Sequence, residues 1–175
     1  MTSDHQSVRP FYRGWDAYNQ AIVDVIAAMT PEQLALRPDP ERDPIWATVA
    51  HLAGARVYWL CGVFGEPGAE DTPFPEVVTG YGWEDDLDTP RSADELVAAL
   101  TASWAIVDGC LERWSPEMLA EEFERPTPKG IQLHNRQSVL MRLLAHDTYH
   151  CGELSQTLGI HGLTQIDLWP PVPTI

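Results

Sequence analysis

Four long stretches of helical hydrophobic period constrain the fold of this chain more than any other feature. In each stretch, apolar residues recur at three- and four-residue steps, which is the spacing of one face of an α-helix. The sequence shows no convincing strand alternation and no internal repeat. Four helices that must each bury one face predict an all-α protein, a four-helix bundle. The stretches are residues 10–29, 45–64, 92–114 and 136–158.

Residues that start and stop helices separate these stretches. TPEQ at residues 30–33 and SADE at residues 92–95 have the spacing of a capping box, which predicts a short helical turn and the start of the third helix. Gly65 and Gly159 follow the second and fourth helices, where glycine favours termination. Residues 122–135 contain two prolines and a glycine, and we expect them to be irregular.

The connection formed by residues 65–91 is predicted to be a lid or binding loop. It contains four prolines, four glycines and many acids without a sustained period. Unstructured loops longer than about 12–15 residues are uncommon and usually functional. The helical core is expected to span residues 8–160, and WPPVP at residues 169–173 predicts a non-helical tail over residues 161–175.

Composition limits the class of protein further. A chain of 175 residues with 44% hydrophobic residues and seven tryptophans is expected to fold as one domain with its own core. The 26 acidic and 11 basic residues give a formal net charge of −15, which argues against nucleic acid as a partner because phosphate backbones attract clustered Lys and Arg.

The cellular setting is expected to be the cytoplasm. No run approaches 18 apolar residues, so no membrane association is predicted, and the first residues lack the basic end and apolar run of a signal peptide. Three cysteines without a CxxC pair indicate reduced thiols.

The strongest signal for chemistry is HDTYH at residues 146–150 in the fourth helix. His146 and His150 lie one helical turn apart, so both imidazoles can reach one metal ion. The alternative is a pair that faces solvent or is satisfied by core partners.

A third histidine favours the metal site. His51 lies in the apolar segment VAHLAGA, residues 49–55, where an imidazole without a partner would cost about 1–3 kcal/mol. Alone it would be interpreted as a satisfied core histidine. With a histidine pair on another helix, coordination by three histidines becomes the better explanation. Three neutral nitrogens suit Zn²⁺, Ni²⁺, Co²⁺ or Fe²⁺ and leave a position open for water or substrate.

Three other side chains are candidates for catalytic roles. Glu153 lies on the face of the histidine pair and is interpreted as a hydrogen-bond acceptor, a fourth ligand or a polar rim residue. Arg142 lies one turn before the pair and either binds a substrate carboxylate or pairs with an acid. Tyr58, two turns after the histidine of the second helix, is a donor to a bound group or a core aromatic.

Two neighbours of the histidine pair are predicted to face away from a metal. Asp147 and Cys151 each directly follow a histidine and so lie about 100° around the helix from it. Asp147 is interpreted as a surface acid or as a hydrogen-bond partner for a neighbouring helix.

These motifs together resemble the DinB/YfiT-like superfamily. The resemblance is carried by IWATVAHL at residues 45–52 and LLAHDTYHCGEL at residues 143–154, and by WDAYN at residues 15–19 followed by TPEQL at residues 30–34. It spans residues 8–160. It implies a four-helix bundle that forms homodimers and holds a divalent metal, usually zinc or nickel, with three histidines, here His51, His146 and His150.

The resemblance also implies the reaction class. Relatives include mycothiol-dependent maleylpyruvate isomerase, bacillithiol S-transferases and proposed metal-dependent hydrolases. We therefore expect a metal-dependent transferase that activates a low-molecular-weight thiol for attack on a small electrophilic substrate. The alternatives are a hydrolase that uses metal-bound water with Glu153 as base, and a non-catalytic module that binds metal or a small ligand.

Overall fold

Four long helices form the body of the computed structural model, which describes residues 6–74 and 76–168. Helix α4 packs along α3 and α1, and α5 packs on α3. A single helical turn, α2, follows α1. The all-α bundle predicted from the hydrophobic period is therefore confirmed. The helices are α1 (Trp15–Ala27), α2 (Pro31–Leu34), α3 (Ile45–Val57), α4 (Ala93–Arg113) and α5 (Arg136–Ile160).

The predicted helix boundaries hold, with two internal changes. The first stretch is divided into a 3-10 turn, Arg9–Tyr12, and α1, because Gly14 has a left-handed φ of 98° between them. The second continues beyond α3 as a π-helical segment, Tyr58–Val63, before the chain turns at Gly65. The capping boxes predicted at TPEQ and SADE are both formed.

A β-hairpin occupies residues 122–135, so the prediction of an irregular segment there is wrong. Strands β1 (Glu122–Thr127) and β2 (Gly130–Asn135) pair antiparallel, with Thr127 opposite Gly130. Gly130, which has a φ of 120°, follows the two-residue turn formed by Pro128 and Lys129. Most β2 side chains are exposed, so no alternation of apolar residues marks the strand in the sequence.

The loop of residues 65–91 lies against the helices. Within its described part it forms three 3-10 turns, and the turns at Val77–Thr79 and Trp83–Asp85 contact α3. Phe74 and Val77 are buried in the main core. The loop is therefore held on α3. The predicted non-helical tail from residue 169 onward lies outside the described residues.

One buried group of polar side chains, the Asp147 cluster (Trp15, Asn19, Arg56 and Asp147), ties α1, α3 and α5 together. Arg56 is 0% exposed, and its Nη2 donates to Asp147 Oδ2 at 2.8 Å. Its Nη1 donates to Asn19 Oδ1 at 2.7 Å, and Trp15 Nε1 donates to Asp147 Oδ2 at 2.9 Å. Of the two interpretations of Asp147, the structure favours the hydrogen-bond partner of neighbouring helices. No helix in the described residues is long and apolar enough to cross a membrane.

Candidate metal centre

Three histidines from two helices meet at the edge of the bundle. His146 and His150 project from α5 toward His51 on α3, and the Nε2 atoms of His51 and His146 are 2.9 Å apart. One ligand atom from each of the three lies within 4.8 Å of the other two. Among the described residues, no other group of three or more His, Cys, Asp or Glu side chains comes this close together.

The rotation of α5 brings the histidine pair to face α3. Asp147 lies between the two histidines in sequence but about 100° away around the helix from His146. Its carboxylate is held inside the bundle by Arg56 and Trp15. Since the helix cannot turn without breaking these bonds, the orientation of the histidine pair is fixed as well.

Two carboxylates orient the histidine rings. Glu84 Oε1 lies 2.9 Å from His51 Nδ1, and Glu153 Oε2 lies 2.6 Å from His150 Nδ1. With Nδ1 engaged in each ring, Nε2 is the atom available to a ligand. A carboxylate on the far nitrogen of a histidine is the usual support for a metal ligand.

Glu84 is absent from the sequence predictions. It is one of many acids in the loop of residues 65–91, and no period or spacing distinguishes it. A Cβ added at Gly82 would overlap the Glu84 carboxylate, so the glycine leaves the room in which this carboxylate sits.

The protonation of the two α5 histidines suits coordination. Burial, aided by the neighbouring His150 and His51, lowers the pKa of His146 to about 3. Burial also lowers the pKa of His150, although the hydrogen bond with Glu153 partly offsets it. The hydrogen bond with Glu84 raises the pKa of His51. At neutral pH the α5 pair is therefore neutral, as a metal ligand must be.

The donor set fits a divalent cation. A tetrahedral ion with Zn–N bonds of about 2.0–2.1 Å holds its nitrogens about 3.3 Å apart, within the span of the histidine cluster. The imidazoles of His51 and His146, which face each other through Nε2 at 2.9 Å, require a proton or a cation between them, because two lone pairs repel. The cluster is thus compatible with metal binding and leaves at least one position for another molecule.

Two cavities meet at the histidine cluster. The larger, of about 570 Å³, is called the acidic cavity because Asp39, Asp43, Glu84 and Glu153 line it against one basic residue, Arg42. The second, of about 360 Å³, is called the arginine cavity; it is lined by Tyr58, Trp59, Arg125, Arg142 and His146, among others. His51 and Glu84 border both cavities, so two molecules can approach the histidines from different sides.

The other predicted site residues lie around these cavities. The Arg142 guanidinium lies over the Trp59 ring at 4.8 Å from its centroid, and it forms no salt bridge with a described acid. Tyr58 accepts a hydrogen bond from Arg125 Nε at 2.8 Å through its hydroxyl oxygen. Arg125 was not predicted, because it belongs to the unpredicted hairpin. Glu153 borders the acidic cavity and contacts His150.

Cys151 takes no part in the histidine cluster, in agreement with its predicted orientation. It is buried, and burial raises the pKa of its thiol to about 12. Cys61 and Cys110 are also buried, and burial raises the pKa of both thiols, that of Cys61 to about 11.

The fold and the cluster together define a helical bundle with a candidate metal centre between its helices. The model of the DinB superfamily matches residues 11–154, which is most of the chain. The protein belongs to the DinB superfamily.

Among solved structures that share the fold, one aligns over nearly its full length. It is the crystal structure of a DinB-like protein from Bacillus cereus ATCC 10987, and it aligns with a TM-score of 0.65 and 18% sequence identity. The alignment covers 97% of this chain and 99% of that chain. At this identity the likeness shows the fold alone. No curated protein matches the sequence.

Proposed function

We propose that this DinB-family protein is a metal-dependent transferase that joins a low-molecular-weight thiol to a small electrophile. The observation that carries the proposal is the position of the histidine cluster at the boundary of two cavities. A transfer between two substrates needs two binding positions beside the reacting centre, whereas hydrolysis needs one and a water molecule.

His51, His146 and His150 would hold the ion, and zinc or nickel suits their nitrogen donors. When bound, a divalent ion of this kind lowers the pKa of a coordinated thiol so that it reacts as a thiolate. Glu84 and Glu153 keep the rings of His51 and His150 in place through Nδ1.

The nucleophile would come from a separate molecule. All three cysteines of the chain are buried, and their thiol pKa values are raised by burial, so none is a thiolate near neutral pH. In the reaction, the sulfur electron pair forms a carbon–sulfur bond, the bond between that carbon and the leaving group breaks with its electron pair going to the leaving group, and the thiol proton passes to solvent. Arg142 and Tyr58, which line the arginine cavity, would orient the electrophile.

The first test measures metal content and thiol binding. We expect about one ion per chain in the wild type, and loss of that ion in both His51→Ala and His150→Ala. The exposed His161, whose Nε2 contacts the Arg37 carbonyl oxygen, supplies the control His161→Ala, which should retain the ion. Full metal content in either cluster variant would show that its histidine is not a ligand.

The second test follows the thiol. In cobalt-substituted protein, titration with a low-molecular-weight thiol should produce a thiolate-to-cobalt absorption band, and the thiol should be consumed with an electrophile. If no thiol binds and none is consumed, the proposal is wrong. Ester hydrolysis without a thiol, lost in Glu153→Gln at unchanged metal content, would assign the protein to hydrolases instead. An ion that exchanges no ligand would assign it to binding modules.

A further inference from the structure

Two guanidinium groups share one aromatic surface in the arginine cavity. Arg125 from β1 and Arg142 from α5 lie 5.1 Å and 4.8 Å from the centroid of the Trp59 ring. A guanidinium held over an aromatic ring is positioned by that contact, and the N–H groups that are not hydrogen-bonded within the protein remain for a ligand. The cavity therefore presents two positioned positive charges beside His51 and His146.

These charges lack acidic partners in the protein. The hydrogen bonds of Arg125 go to neutral acceptors, Tyr58 Oη at 2.8 Å and Gln132 Oε1 at 3.0 Å. Neither Arg125 nor Arg142 forms a salt bridge with any acid in the described part of the chain. Six other arginines do form such pairs: Arg9, Arg42, Arg56, Arg91, Arg113 and Arg136.

This arrangement contrasts with the charge of the whole chain. Acids outnumber basic residues by 26 to 11, so carboxylates are available to most of the surface. Within the arginine cavity, Glu84 is the one acid among the described lining residues, and its Oε1 is engaged with His51. Burial, together with the charges of Arg142 and Arg125, lowers the pKa of the adjacent His134, which is consistent with a local excess of positive charge.

We infer that the arginine cavity binds a carboxylate group of the electrophilic substrate, which gives Arg125 and Arg142 the role of specificity-determining residues. The inference rests on the proposed function for the identity of that molecule as the electrophile. A planar carboxylate accepts paired hydrogen bonds from a guanidinium, and the stacked arginines supply such donors. Asp39, Asp43 and Glu153, which line the acidic cavity and not the arginine cavity, would repel the same group, so the two reactants are sorted by charge.

Carboxylate fits the cavity better than phosphate. Phosphate groups are commonly held by backbone N–H groups at the N-terminus of a helix. The described lining of the arginine cavity comes from the C-terminal half of α3, the π-helical segment after it, the second and third turns of α5, the hairpin and the loop, with no N-terminus of a long helix.

The test uses succinate as the carboxylate probe and its neutral diamide, succinamide, as the matched comparison. Calorimetric titration is carried out on the chelator-treated and the metal-loaded protein at low salt. We expect succinate to bind at least about tenfold more tightly than succinamide, and Arg125→Gln and Arg142→Gln each to weaken succinate binding by about tenfold or more. Arg142→Lys, which keeps the charge but loses the planar fork, should fall between the wild type and Arg142→Gln.

The control variant is Arg13→Gln, which removes the same charge from an exposed arginine lining a different surface pocket. It should leave succinate binding unchanged. An equal loss in Arg13→Gln, equal binding of succinamide, or tighter binding of inorganic phosphate than of succinate would each overturn the inference.

The same measurements separate the inference from the proposed function. Succinate binding that depends on both arginines in the chelator-treated protein supports the carboxylate site even if no thiol binds to the metal. Thiol binding to the metal-loaded protein without any preference for succinate leaves the proposed function intact and overturns the carboxylate site.

Discussion

Helix α5 contributes to two polar clusters on different faces, and they differ in burial and in what surrounds them. The Asp147 cluster lies inside the bundle, where Asp147 is 3% exposed and bonded to Arg56 and Trp15. The histidine cluster borders two cavities, and its Nε2 atoms face one another. One pentapeptide, HDTYH, therefore supplies a carboxylate to a buried ion pair and two histidines to a cluster that borders cavities.

The difference teaches how the site is positioned. A buried ion pair contributes little net stability, because desolvation of both charges offsets their attraction. Its effect is to select one arrangement of the helices. Asp147 reaches Arg56, which also bonds to Asn19, only when α5 is in one rotation about its axis. That rotation directs both α5 histidines toward α3.

The largest expected effect comes from removing the carboxylate of the Asp147 cluster. Asp147→Ala would leave the buried Arg56 charge without its carboxylate and Trp15 Nε1 without an acceptor. We expect the free energy of unfolding to fall by about 3–5 kcal/mol, measured by urea denaturation of the metal-free protein. His51→Ala should change it by less than about 1 kcal/mol, because that ring is partly exposed and faces a cavity.

The conservative controls separate charge pairing from volume. Asp147→Asn keeps one acceptor and should lose less stability than Asp147→Ala, and Arg56→Met in the Asp147→Ala background should recover part of the loss by removing the uncompensated charge. A loss in His51→Ala as large as in Asp147→Ala would contradict the division of α5 into a structural and a functional side.

The histidines were predictable because they depend on local helix geometry. The spacing of His146 and His150 fixes their common face, and the same angular argument places Asp147 away from it. Arg56 gave no comparable signal: it lies in a helix whose other residues are almost all buried, and its partner Asp147 is 91 residues away. Pairing across such a distance is decided by how the helices pack.

The outer parts of the site were unpredictable for a related reason. Glu84 reaches His51 from a loop without periodicity, and Arg125 comes from a hairpin whose second strand is mostly exposed. Sequence patterns report which side of an element is buried, and these segments bury too little to show one. The prediction of a lid or binding loop named residues 65–91 as a whole and did not single out Glu84.

An intermediate effect, on metal affinity, is expected from removing the carboxylate that orients His51. Glu84→Ala removes the acceptor from His51 Nδ1 but leaves all three candidate ligands. We expect metal affinity to fall by about 10- to 100-fold, measured by competition with a chromogenic chelator. Gly82→Ala should act in the same direction, because its Cβ would displace the Glu84 carboxylate.

Glu76→Ala provides the matched control for the loop. Glu76 is an exposed acid in the same segment, and its side chain has no described hydrogen bond to the histidines. It should leave metal affinity unchanged. Equal losses in Glu84→Ala and Glu76→Ala would show that general loop charge, and not orientation of His51, supports the site.

The smallest effect extends the comparison to a paired carboxylate nearer the surface, Glu66. Burial alone would raise its pKa, but hydrogen bonds from Arg113 Nη2 at 2.7 Å and Trp114 Nε1 at 2.9 Å prevail, and the pKa of Glu66 is lowered from 4.5. A carboxylate with a lowered folded-state pKa adds stability above its unfolded-state pKa, and this stability is lost as the pH falls through the folded-state value. We therefore expect the stability advantage of the wild type over Glu66→Gln to be complete at neutral pH and to shrink below about pH 4.5, as measured by urea denaturation. Solvent screening keeps the effect below that of Asp147→Ala.

The exposed Glu124 supplies the control variant Glu124→Gln. A stability advantage of the wild type over Glu66→Gln that does not change with pH would show that Glu66 acts through packing and not through its charge.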